Sequence, residues 1–152
     1  HTYSHVSLYG KSDSFFDKEI SKTEKLLAHY AKIQQIKFVR PPGGAVTPQT
    51  VRQSERNHTE LVLWSWHQDP RDWTRPGTAK IVRYVTKNIQ SGDIILLHDS
   101  GGNRKQTVAA LKTIIPTLQR RGYRFVTLDT LLKYNQKYDH LYHGGINKFV
   151  KQ

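Results

Sequence analysis

The chain has 152 residues, of which 36% are hydrophobic and 24% charged. That balance suits one packed domain by the usual length prior and excludes wholesale disorder. Cysteine is absent, so disulfide frameworks, thiolate metal sites and a cysteine nucleophile are excluded. Lys and Arg number 24 against 12 Asp and Glu, a formal charge of +12, which implies polyanionic surroundings such as a cell wall, lipid headgroups or nucleic acid. The basic residues are scattered singly and in pairs, as in Arg120-Arg121, and form no recognisable nucleic-acid module, so no nucleic-acid partner is expected. No apolar run approaches the ~18 residues of a membrane span.

In chain order, the first helix is expected over about Ser14–Gln34, with Phe16, Ile20, Leu27 and Tyr30 on one face. A first strand follows at Ile36–Val39. Thr47-Pro48, a hydroxyl N-cap with proline at the first helical position, opens a second helix to about Arg56. Leu61–Trp66 reads as the second strand, and Trp64 and Trp66 on it read as barrel packing. A third helix covers about Thr78–Ile89, and a third strand Asp93–His98. The fourth helix covers about Gln106–Arg121, with Val108, Leu111, Ile115 and Leu118 inward. Arg124–Leu128 is the last strand candidate, and a short helix begins at Asp129 or Thr130. The strand candidates are apolar on both faces, as buried parallel strands are. Alternation of this kind predicts an α/β architecture with a parallel sheet, open or closed into a barrel. Four strands are too few for a complete (β/α)₈ barrel of ~250 residues. Residues 1–134 therefore read as the C-terminal part of a larger catalytic domain, and 135–152 as a polar tail.

Polar residues gather just after the strand candidates, on the edge where α/β folds bind ligands. Arg40-Pro41-Pro42-Gly43-Gly44 follows the first, His67 to Trp73 the second, and His98-Asp99 ends the third. His1 and His5 stand four apart, one helical turn, so both imidazoles can reach a single cation. A zinc site needs a third protein ligand, and neither Asp13 nor Asp17 has an obvious claim to it. Ser100-Gly101-Gly102-Asn103-Arg104, ahead of a helix, reads as a flexible loop.

In order, these pieces resemble the bacterial polysaccharide deacetylases, the nodulation-protein-B homology domain of carbohydrate esterase family four. The family's His-Ser/Thr-x-x-His corresponds to His1–His5, its Arg-Pro-Pro-x-Gly to Arg40–Gly44, its Asp-x-x-Asp-Trp to Asp69–Trp73 and its Leu-x-His to Leu96–His98. Arg121–Leu128 is similar to its last strand. The resemblance implies a distorted (β/α) barrel of that type and hydrolysis of N-acetyl groups on an N-acetylglucosamine polymer, peptidoglycan or chitin-like, outside a bacterial cell or at its wall.

By the same resemblance, His1 and His5 hold a divalent metal, zinc with cobalt or nickel as alternatives, that polarises the acetamide and activates water. His98 is the general acid, and Asp72 orients it and stabilises its imidazolium. The Gly43 N–H helps to hold the oxyanion, Trp73 and Leu96 wall the sugar groove, and Arg40 pairs with the catalytic-base aspartate. Two departures stand out. Gly43 replaces a frequent tyrosine, and the family's first motif, an Asp-Asp pair supplying the base and the third metal ligand, has no counterpart in these residues. An associated N-terminal portion of the same protein is the expected source of that pair. A non-catalytic carbohydrate-binding relative of the deacetylases is the alternative.

Overall fold

The computed structural model describes residues 1–134, which divide along the chain into two compact units, His1–Leu63 and residues 64–134. The expected tail at 135–152 lies outside the described residues.

In the first unit, helix α1 spans Asp13–Ala31. Ser12 caps it by accepting the Phe15 N–H, and Lys32 ends it early in a left-handed conformation with its N–H returned to Leu27. Phe16 and Ile20 are buried with Leu8, Ile36 and Val39, and Leu27 is partly buried against them. Tyr30, expected inward, is 78% exposed, because the helix has run past the residues that could cover it. Strand β1, Phe38–Val39, pairs in parallel with β2, Glu60–Leu61. Between them, α2 (Pro48–Arg56) opens with the expected Thr47-Pro48 signal, reinforced by reciprocal Thr47 and Thr50 bonds.

In the second unit, α3 (Thr78–Lys87) packs on α4 (Lys105–Arg120) through Ile81, Val85, Ala110, Ile114 and Leu118. The buried stripe of α4 is Thr107, Ala110, Ile114 and Leu118; Leu118 is inward as expected, but before it the stripe runs one residue earlier than expected, leaving Val108 and Ile115 54% and 38% exposed.

Among the described residues, only β1 and β2 form a ladder. The segment 93–98 is held by isolated bonds instead, Ser65 N–H to Ile94 O at 3.0 Å and Leu96 N–H to Gln68 O at 3.0 Å. The Ile94 N–H goes to the Ser65 hydroxyl rather than to a carbonyl, so the side chain interrupts the expected ladder. Arg124–Leu128 is likewise not a strand. Phe125 and Val126 are half exposed, flanking an apolar groove of about 760 Å³ with Ile95, Leu97 and Leu118. Helix α5, Leu128–Tyr134, starts directly from Thr127, which accepts the Thr130 N–H.

Candidate active site

His1 and His5 do come together, but not on a helix. Residues 1–8 form a loop in which Thr2 and His5 are left-handed, at φ +59° and +58°, a conformation that costs a β-branched residue most. The loop brings His1 Nε2 to 3.1 Å from His5 Nε2. His1 Nδ1 bonds the Arg40 carbonyl oxygen. A carbonyl only accepts, so Nδ1 carries the proton and Nε2 turns its lone pair toward His5, the arrangement that outer-sphere partners impose on ligating histidines. Two nitrogens at ~2.05 Å from zinc with tetrahedral angles stand about 3.3 Å apart. The pair therefore fits two positions of such a site. Among the described residues no group of three or more His, Asp or Glu could hold a metal, so the pair is an incomplete donor set.

Sequence reasoning missed the residue that braces this loop. Glu19 of α1, 5% exposed, accepts the Ser4 N–H at 2.7 Å and the Ser4 hydroxyl at 2.9 Å. Burial pushes its carboxyl up, and the hydrogen bonds from Ser4, joined by those from Thr2 and Tyr3, together outweigh that and hold it below the usual glutamate range. The signal was an acid on an apolar stripe, between Phe16 and Ile20. Glu19→Ala deletes both bonds to Ser4, charge-assisted and partly buried, at about 1–3 kcal/mol. A urea titration should show that loss, and metal titration a weaker affinity from the loosened His1–His5 loop.

Arg40, whose carbonyl meets His1, is followed in the first unit by the turn that holds Gly43. Pro41–Gly44 turns tightly, with the Gly44 N–H on the Pro41 carbonyl at 2.9 Å and Gly43 exposed at φ +67°. A Cβ there would meet open space, so the backbone conformation, not crowding, favours glycine.

The second unit brings Asp72 and His98 together. Asp72 opens the short turn Asp72–Thr74 and is 1% exposed. Its Oδ1 accepts the His98 Nδ1–H at 2.7 Å, and its Oδ2 accepts the His98 N–H at 3.0 Å and the Thr107 hydroxyl at 2.7 Å. The carboxylate fixes the proton on Nδ1, so the other ring nitrogen, Nε2, is the one left for a further partner, on a ring that is 26% exposed. Burial pushes the Asp72 carboxyl up, yet the His98 and Thr107 bonds hold it below the usual aspartate range. In the unfolded chain Asp72 has its ordinary value of about 3.9. Stability from this carboxylate is thus complete above that value and is lost as pH falls through the lower folded one. Thermal melts from pH 5 to 2 should fall more steeply for the wild type than for Asp72→Asn.

Trp73 is 54% exposed, open to a ligand, whereas Leu96 is only 6% exposed. Leu96 acts chiefly by anchoring, through its bond to Gln68, the segment that delivers His98. Trp66, expected as packing, is 86% exposed and set edge-on to His67, because the strand ends before it. His67 bonds buried Asp93 at 3.0 Å, a second His–Asp contact that no motif announced. The loop before α4 is not loose: Arg104 ties it to the Ser100 and Gly101 carbonyls.

A polysaccharide deacetylase family model matches residues 1–62. A peptidoglycan-N-acetylglucosamine deacetylase of Bacillus cereus is 46% identical over 134 residues, covering 88% of this chain and 62% of its own length. The chain belongs to the polysaccharide deacetylase family. A chitooligosaccharide deacetylase of Azorhizobium caulinodans is 33% identical, covering 81% of this chain and 63% of its own. Among solved structures, a peptidoglycan N-acetylglucosamine deacetylase bound to a hydroxamate-type benzamide superposes with a TM-score of 0.78 at 34% identity, covering 86% of this chain and 60% of that one. A pseudoenzyme of carbohydrate esterase family four from Bacillus anthracis gives 0.73 at 25%, covering 86% of this chain and 44% of that one. The chain thus spans less than two thirds of the curated relatives it matches. Its fold is part of the (β/α) barrel of the polysaccharide deacetylases, as the resemblance implied.

Proposed function

We propose that this polysaccharide deacetylase hydrolyses N-acetyl groups on N-acetylglucosamine-containing polysaccharide, peptidoglycan or chitin-like, outside the cell or at its wall. The Asp72–His98 pair carries the reading. Expelling an amine from a tetrahedral intermediate requires a proton, and an imidazolium anchored through Nδ1 to a buried carboxylate presents that proton on Nε2. Asp72 stabilises the charged ring and prevents it from turning. His1 and His5 would hold the divalent metal, zinc or else cobalt or nickel, with an aspartate from the part of the family that this chain does not span. When bound, the metal supplies Lewis acidity toward the acetamide oxygen and a water acidified toward neutral pH. The Gly43 N–H assists at the oxyanion, Arg40 holds the base aspartate ionised, and Trp73 packs on the sugar. Residues 1–134 act as the C-terminal part of the catalytic domain, working with an N-terminal portion of the same protein. The net charge of +12 suits an anionic wall.

Non-catalytic glycan binding is the second reading, favoured by the pseudoenzyme among the structural neighbours. Intact protein incubated with N-acetylglucosamine oligomers and zinc, cobalt or nickel decides between them. Acetate release that a chelator abolishes supports the enzyme; oligomer binding without acetate release supports the alternative.

A further inference from the structure

Thr107 lies at the first turn of α4, on its buried stripe, 3% exposed. A hydroxyl on an apolar stripe needs a partner, and this one donates to Asp72 Oδ2 at 2.7 Å, 35 residues away in sequence. Oδ2 is the oxygen that also receives the His98 N–H, while Oδ1 receives the ring. Without Thr107 both oxygens would be tied only to His98, so carboxylate and imidazole could shift together. The Thr107 hydroxyl is a donor from a separate helix and fixes the carboxylate independently of the ring it orients. The same turn adds two more ties to the Asp72 segment. Arg104 donates to the Trp73 carbonyl at 3.3 Å, and the Gln106 side-chain oxygen accepts the Gly77 N–H at 2.8 Å.

We propose that Thr107 is a positioning residue that locks the Asp72 carboxylate and thereby aims His98. The proposal rests on the deacetylase reading for its kinetic consequence but not for its geometry. Thr107→Val is nearly isosteric and deletes only the donor; Thr107→Ser keeps it. In the intact protein, T107V should lower kcat for acetate release about 10-fold to 100-fold, the scale of a small misalignment of a reacting group, with KM within twofold of wild type. T107S should restore kcat to within about threefold. Proton NMR supplies a readout independent of turnover: the far-downfield His98 Nδ1–H resonance should be present in wild type and T107S and shifted or broadened away in T107V.

A T107V protein with a lower melting temperature but unchanged kcat and resonance would make Thr107 ordinary packing and overturn the proposal. Should T107V not fold, T107A, which vacates the space instead of filling it, carries the same two readouts. A wild type that releases no acetate while its resonance still responds to T107V removes the deacetylase reading and leaves the positioning role intact.

Discussion

His98→Ala is expected to lower acetate release by about 10²–10⁴-fold, the usual contribution of a positioned general acid, while leaving metal uptake unchanged. The separation of the two readouts follows from the bonding. His98 donates Nδ1–H and its backbone N–H to Asp72 and takes no part in the His1–His5 contact. On the proposed mechanism its loss removes the proton donor for the departing amine and nothing from the donor pair. Steady-state turnover on N-acetylglucosamine oligomers, with metal content measured on the same samples, checks both. Parallel loss of turnover and metal would place His98 among the ligands and refute the role given to it. Asp72 itself cannot be removed as cleanly, since its carboxylate also receives Thr107 and truncation would strand a buried hydroxyl.

His5→Ala is expected to weaken binding of zinc or cobalt by at least ~100-fold, beyond the 10–100-fold typical of losing an outer-sphere partner. One imidazole, its Nδ1 held by the Arg40 carbonyl, remains, and a single nitrogen gives no chelate. His1→Ala should behave alike, because the two Nε2 atoms converge from opposite ends of one short loop. Competition against a chromophoric chelator measures the affinity directly. If both variants retained wild-type affinity, the metal would lie elsewhere and the pair would be an ordinary surface contact. Circular dichroism should show little change, since both rings are exposed and contribute no core packing.

The two halves of the reading were legible to different degrees for physical reasons. Helices announced themselves because their signals are local: Thr47-Pro48 for α2, and the periodic apolar positions of α3 and α4. Strand extents were overstated because an apolar run specifies β character but not a hydrogen-bonding neighbour. Ser65 shows the difference, its hydroxyl taking the Ile94 N–H that a ladder would have used. Tyr30 and Val108 were misplaced because periodicity gives a stripe's spacing more securely than its phase or the point where its cover ends.

Sequence alone determined the chemistry on offer: the identities and order of His1, His5, Asp72 and His98, the family they point to, and the absence of thiol chemistry. Tertiary structure alone decided how that chemistry is held. Two left-handed residues, not a helical turn, join the histidines, Glu19 braces their loop, and Thr107 reaches Asp72. Motifs are short and local, whereas a buried polar group finds its partner wherever packing brings one within 3 Å, and chain spacing carries no record of that distance.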